Sequence, residues 1–194
     1  PVQANVTTNL MYNVDCFEEA GVDLPPTKVE EAWSWDEFVE MAQKLTLDTE
    51  GRNAADPDFD ANNIKQYGVM FGTDWNVYMP FILSAGGGYL NESMDGLGLN
   101  DEILQNFADL INVYHVSPTA VQKNAMPSAA TALAAKQTAM YIDGSWNHLD
   151  LMNSGCNWGV GVLPIDENYT TFFDGGSLII FKSTKHLEAS EKLY

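Results

Sequence analysis

Positive charge is scarce in this sequence. Nine lysines and arginines face 27 aspartates and glutamates, for a net charge of −18 over 194 residues. Holding a polyanion takes phosphate-neutralising Lys and Arg, so this balance excludes nucleic acid as a partner. It equally excludes attachment to an anionic membrane surface through the chain's own charge. Cysteine is nearly absent. Cys16 falls in a short apolar helical stretch and Cys156 in a turn. Neither has the spacing of a metal site, and the spacing leaves a disulfide between them open. No apolar run approaches the roughly 20 residues of a membrane-crossing helix. Histidine is limited to His115, His148 and His186, with no two at ligand spacing. There is no Gly-x-Ser-x-Gly elbow, and Gly86-Gly87-Gly88 lacks both the strand-then-helix context and the Lys of a phosphate loop. No metal and no cofactor are expected, and no internal repeat is visible.

What is present suits a globular domain, with 45% hydrophobic residues and 11% aromatics. The chain opens on Pro1 rather than Met. Leu187, Ser190, Glu191 and Tyr194 sit at helical spacing with no residue to end a helix, so we expect a piece of a longer protein. Residues 1–13 read as extended. Asp15 with Glu18 reads as a capping box for a short helix ended by Gly21. Pro25-Pro26 is a rigid break. Ser34 and Glu37 form a second capping box, with Trp33 and Phe38 at staple positions, before a stripe of Trp35, Phe38, Val39, Ala42 and Leu45. Thr46–Gln66 is a polar loop with Asp48, Glu50, Asp56, Asp58 and Asp60; the spacing does not match a calcium loop, so a solvated insertion covering something is expected.

Tyr67–Phe71 is a buried strand followed by Gly72-Thr73-Asp74-Trp75-Asn76, then a helix with Pro80 in or near its first turn. Tyr89–Leu99 resembles a small hairpin. Asn100 caps a helix with Ile103, Phe107, Leu110, Ile111 and Tyr114 on one face, and Ser128 caps an Ala-rich helix over 129–135. Trp158–Leu163 is a strand ending at Pro164, Phe172–Gly176 a turn, and Ser177–Phe181 a further strand. Alternating strands and helices argue an α/β domain.

The stretch that organises the chain is Ala139–Trp146. Ala139–Ile142 has the character of a short buried strand, Asp143-Gly144 reads as a turn, and Ser145 as the cap of a short helix through Leu149 and Met152. Trp146 is thereby presented at the C-terminal end of a strand, where open α/β sheets bind ligands. Taken alone, an indole there reads first as a core plug. Asp74, Asp143 and Asp174 all follow strands and could form a glycosidase carboxylate pair, without a distinctive motif.

Taken in order, these landmarks resemble the extracellular solute-binding proteins, family 1, the carbohydrate receptors of ABC importers that include the maltose-binding type. The resemblance rests on Leu10–Gly21, on Pro25-Pro26 followed by Ser34–Phe38 with an insertion at Thr27–Trp33, and on Gln66–Val69. Pro80–Gly87, Thr138–Met140 through Gly144–Trp146, Trp158–Pro164, and Gly175-Gly176 through Ser183–Lys185 continue it in register. It implies a periplasmic-binding-protein-like type II lobe, a mixed sheet flanked by helices.

On that resemblance, residues 1–8 are a hinge strand, 9–164 the second lobe, and 165–194 a truncated return towards a first lobe that the chain lacks. Trp146, with Gly144 and Ser145, falls where the family places a cleft aromatic against a sugar ring. That turns the indole from core plug into ligand platform. Asp74, Trp75 and Asn76 fall on a second contact loop that departs from the maltose-binding pattern. Gly175 and Gly176 fit a turn that approaches sugar hydroxyls, with Asp174 an acceptor and Asn5 a weaker candidate on the hinge strand. Trp33, Trp35 and Trp158 are assigned to packing.

The implied partners are a sugar or oligosaccharide, the membrane permease subunits of an ABC importer, and the missing first lobe. The implied location is extracellular or periplasmic, with lipoprotein anchoring. The resemblance implies no enzyme. A glycoside-active enzyme using paired carboxylates and a same-fold receptor for a non-sugar solute such as a polyamine are the alternatives.

Overall fold

The computed structural model describes residues 2–165, 168–177 and 179–193, with side chains from residue 6 onward except those at 174, 176, 177 and 193. Its frame is a mixed sheet in the order β2-β3-β4-β1-β5, with β6 paired to the first half of β1. The strands are β1 (Val2–Asn13), β2 (Leu47–Asp48), β3 (Ile64–Phe71), β4 (Thr138–Gly144), β5 (Trp158–Gly161) and β6 (Phe173–Ser177). β3 and β4 run parallel, whereas β1 lies antiparallel to β4, β5 and β6. The α/β lobe with a mixed sheet and flanking helices is therefore as expected.

Side chains alternate across the sheet, as the strand period of two demands. Leu10, Tyr12, Val69, Phe71, Met140 and Ile142 face one core, while Met11, Met70 and Tyr141 face another. The central strands are buried on both faces, as parallel pairs usually are. The larger core is covered by α1 (Val14–Ala20), α2 (Trp35–Leu45), α3 (Trp75–Ser84) and α4 (Asp101–Asn112). Its centre is aromatic, with Phe107 set edge-on to Phe71, Phe81 and Trp35 at centroid distances of 5.0, 5.2 and 5.4 Å. The smaller core lies under α6 (Ala129–Ala134) and α7 (His148–Asn153), where Trp158 packs. Trp33, Trp35 and Trp158 are thus packing residues. α2 comes so close to β3 that a Cβ on Gly68 would lie 2.0 Å from the Ala42 carbonyl oxygen.

Several local signals hold. Ser34 and Glu37 form the expected capping box, Gly21 ends α1 at φ 65°, and Asn100 caps α4. Residues 88–98 form a small hairpin bridged at Leu90 and Leu97. α8 (Leu187–Leu193) is helical as read, Tyr194 lying outside the described residues.

Others do not. The cap of α1 is Asn13, whose carboxamide oxygen accepts from the N–H of Asp15 and Cys16, because β1 delivers that residue in extended conformation. Ser128 makes no cap bond; its hydroxyl pairs with Thr131 instead. α3 starts at Trp75, so Pro80 lies in its second turn. A proline there leaves the carbonyl four residues back without its helical donor. The Thr8 hydroxyl fills that vacancy, donating to the Asn76 carbonyl at 2.9 Å. A helix not read from the sequence, α5 (Ala120–Ala125), begins with a Thr119–Gln122 capping box.

The acidic loop is built around Asp48. Its carboxylate is closed off from solvent and accepts from the N–H groups of Glu50, Arg52 and Asp60 and from the Arg52 guanidinium at 2.7 Å. Burial raises the Asp48 carboxyl, but those donors outweigh it and hold it down at about 2. Leu47 pairs with Gln66 near the start of β3, which leaves the loop at the opposite end of the strand from Trp75. Cys16 and Cys156 are free thiols. Burial pushes Cys16 up to about 12, and its sulfur faces Gln66 Oε1 at 3.5 Å.

Candidate ligand-binding site

The C-terminal ends of β3 and β4 lie side by side, with Phe71 registered against Ile142. Asp143-Gly144, read as a turn, completes β4 and pairs with Asn9 and Thr8 of β1. Pairing with a long neighbouring strand overrides the local turn preference. Ser145 does not cap α7. A 3-10 turn over Ser145–Asn147 comes first, and the Ser145 hydroxyl accepts from the Thr7 N–H at 3.2 Å.

Trp146 is 45% exposed, so it is no core plug. Its ring lies flat on Gly144: a Cβ there would meet Trp146 Cζ3, Cη2 and Cε3 at 2.1, 2.2 and 2.3 Å. Asp74 is the N-cap of α3, exposed, with no cap bond from its side chain. Trp75 stands 56% exposed at the first position of that helix. The rings of Phe172 and Tyr89 pack edge-on to it at 4.9 and 5.7 Å. Asn76 is only 5% exposed, tucked beneath this rim rather than displayed on it.

Phe172–Gly176, also read as a turn, is largely β6. Gly175 pairs with Asn5, and Gly176 with Ala4, committing one side of that backbone to the ladder. The side chains of Asn5 and Asp174 lie outside the described set. Ile179–Phe181, expected as strand, is not, and Leu178 lies outside the described residues.

Two residues that sequence reasoning missed tie these segments together. Thr7 and Thr8 sit where β1 passes from its β6 partner to β4 and β5. Thr8 bonds the first turn of α3 through Asn76, donates its N–H to Phe172, and takes the Thr171 hydroxyl on its carbonyl at 2.7 Å. Thr7 holds Ser145. Nothing in a Thr-Thr pair on a β-rich stretch announces this role.

Below the rim is a buried polar layer. Asp143, 7% exposed, accepts from the Tyr141 hydroxyl and from Gly144 N–H at 2.7 Å. Burial, reinforced by the Asp143 carboxylate, raises the Tyr141 hydroxyl well above its ordinary value. Lys123 of α5 donates to the Phe71 carbonyl. Burial lowers its pKa, while the fields of Asp143 and Asp74 act the other way. Lys123 and Tyr78 line a 140 Å³ cavity beside Thr73 and Phe107. The Thr119–Gln122 capping box was the signal that could have placed Lys123 on a helix.

The family model of bacterial extracellular solute-binding proteins matches residues 1–194. The chain belongs to that family. Among solved structures, this solute-binding chain is similar to an ABC substrate-binding protein of Listeria monocytogenes in complex with cycloalternan. The TM-score is 0.76 at 23% identity, over 98% of this chain and 45% of that one. A solute-binding protein of Thermotoga lettingae bound with α-D-tagatose gives 0.68 at 25% identity, over 99% and 47%. The maltose/maltodextrin-binding domain of Bdellovibrio bacteriovorus bound to maltotriose gives 0.62 at 22% identity, over 99% and 48%. The chain thus spans about half the length of the solved solute-binding proteins it matches. No curated protein matched it.

Proposed function

We propose that this chain is the second lobe of a two-lobed carbohydrate receptor that delivers sugar to an ABC importer. One observation carries the reading: two exposed tryptophans, Trp75 and Trp146, stand at the ends of adjacent parallel strands in a chain of the solute-binding family. Axial C–H patches of a sugar ring pack on an indole face, and its hydroxyls take planar acceptors such as the exposed carboxylate of Asp74. Gly144 and Ser145 support Trp146, and Gly175 and Gly176 offer backbone close to the hinge. The sugars bound by the similar structures support the same ligand class.

Half-length coverage supports a missing first lobe. Residues 1–8 then form the hinge strand, 9–164 the lobe, and 165–194 the return. The division of β1 between two sets of partners at Thr7–Thr8 suits such a crossover. Closure over the sugar presents a shape that permease subunits recognise. The receptor works outside the cytoplasmic membrane, anchored as a lipoprotein, and makes or breaks no bond. An enzyme based on Asp143 finds no support in its surroundings, since that carboxylate is buried and engaged by Tyr141 and Gly144.

The test is calorimetry on the full-length, two-lobed protein with maltotriose, cycloalternan, tagatose and spermidine, each followed for turnover. Saccharide binding without turnover supports the reading. Turnover, or binding of spermidine alone, overturns it. With a bound saccharide in hand, Trp146→Ala should weaken affinity by about 1 kcal/mol or more, and unchanged affinity in a folded variant removes Trp146 from the site.

A further inference from the structure

The most unusual group near the strand ends is one the binding reading leaves idle: the buried carboxylate of Asp143. It does not face the rim. A Cβ on Gly72 would lie 2.7 Å from both Asp143 Cγ and Oδ1, so the carboxylate is seated against the backbone of the first residue after β3. One of its oxygens holds Gly144 N–H and the other the Tyr141 hydroxyl. Gly72 is held from two further sides, its N–H by the Ile142 carbonyl at 2.9 Å and its carbonyl by the Tyr78 hydroxyl at 3.1 Å. The Lys123 ammonium sits one residue back, on Phe71.

Gly72 leads within three residues to Trp75, and Gly144 within two to Trp146. One side chain therefore touches the roots of both aromatic segments. A buried, unpaired carboxylate is costly, and its retention calls for partners. Here those partners are a backbone N–H and a tyrosine hydroxyl, while the Lys123 ammonium bonds the Phe71 carbonyl next to Gly72.

We propose that Asp143 is a positioning residue of the ligand site. Its carboxylate clamps the ends of β3 and β4 at Gly72 and Gly144 and so sets how the Trp75 and Trp146 rings stand relative to each other. The inference rests on the reading that these two rings contact ligand, but its test does not need a ligand.

The experiment labels the full-length protein with 5-fluorotryptophan and records fluorine spectra without sugar. The Trp75 and Trp146 lines are assigned by Trp→Phe substitution. Asp143→Asn keeps the shape and removes the charge, and Tyr141→Phe removes one bond to the carboxylate. Asp143→Asn should move the Trp75 and Trp146 lines by more than their width while those of Trp33, Trp35 and Trp158 stay in place. Tyr141→Phe should move the same two lines less. A role confined to stability would lower the melting midpoint without singling out two of the five chain tryptophans. Unmoved Trp75 and Trp146 lines in Asp143→Asn overturn the proposal, as does a shift of all five together. If Asp143→Asn fails to fold, Tyr141→Phe decides by the same two lines. Absence of saccharide binding by the unsubstituted protein would strike the functional reading alone, and the fluorine result would still stand or fall by itself.

Discussion

Adding one methyl group at Gly144 should separate binding from stability. Its backbone, at φ −72° and ψ 153°, is open to any residue, so glycine is not needed there for conformation. It is needed for room. A Cβ would lie 2.1–2.3 Å from three carbons of the Trp146 ring. That is closer by more than about 1 Å than the 3.5–4.0 Å of an ordinary carbon–carbon contact. The half-exposed indole is the part free to give, so Gly144→Ala should tilt or lift the ring while the buried strand stays put. Loss of chain entropy in the unfolded state works in favour of alanine by about 0.4–1 kcal/mol, so little net loss of stability is expected. Misplacing an aromatic anchor should weaken sugar binding by about 1–2 kcal/mol, or roughly 5- to 30-fold in Kd. The assay is calorimetry on the two-lobed protein with whichever saccharide it binds, beside thermal melts of the same samples. In a Trp146→Ala background the methyl has nothing to displace, so its effect on Kd should vanish. Wild-type affinity in Gly144→Ala, or an equal loss with and without Trp146, would refute the reasoning.

Three further outcomes follow from the packing. Thr8→Val leaves the buried Asn76 carbonyl without a donor and should cost about 1–3 kcal/mol in urea melts. Pro80→Ala returns the helical N–H, so in that background the same substitution should cost clearly less. The Asp48 carboxyl is held at about 2, so its contribution is complete above the unfolded value near 4 and is lost as pH falls towards 2; Asp48→Asn should lower the melting midpoint at neutral pH and flatten that acid limb. His148 is shifted down by burial, with Nε2 buried and without a partner among the described residues and its ring against Trp158 at 5.4 Å. The unfolded chain takes the proton first, so stability should be complete above about pH 6.5 and decline below it, a slope that His148→Gln removes in melts across pH 5–8.

Much of the fold was legible because much of it is local. The Ser34–Glu37 box, the Asn100 cap and the left-handed Gly21 depend on neighbours within four residues, and each stands where the residues place it. The stripe of α2 and the buried strand at Tyr67–Phe71 depend only on period, and the order of landmarks carried the family. The two turns misread in place of strand share one cause. Asp143-Gly144 and Asp174-Gly175 look like turns in any window of a few residues, yet β1, more than 130 positions away in sequence, claims them as strands.

From the sequence alone came an α/β lobe, several of its helix ends, and a tryptophan at the end of a strand. Only the tertiary structure decided which aromatic faces solvent and which polar residue lies beneath. Trp146 stands out because Gly144 leaves its ring a backbone to lie on. Trp75 gains Tyr89 and Phe172 as walls from distant segments, and Asn76 is drawn under the rim because Pro80 frees a carbonyl for Thr8. Asp143 was a candidate acid on paper; packing against Gly72 made it a clamp. Capping and periodicity are short-range and survive in a linear text. The burial of a carboxylate or the exposure of an indole is settled by which remote strand arrives beside it.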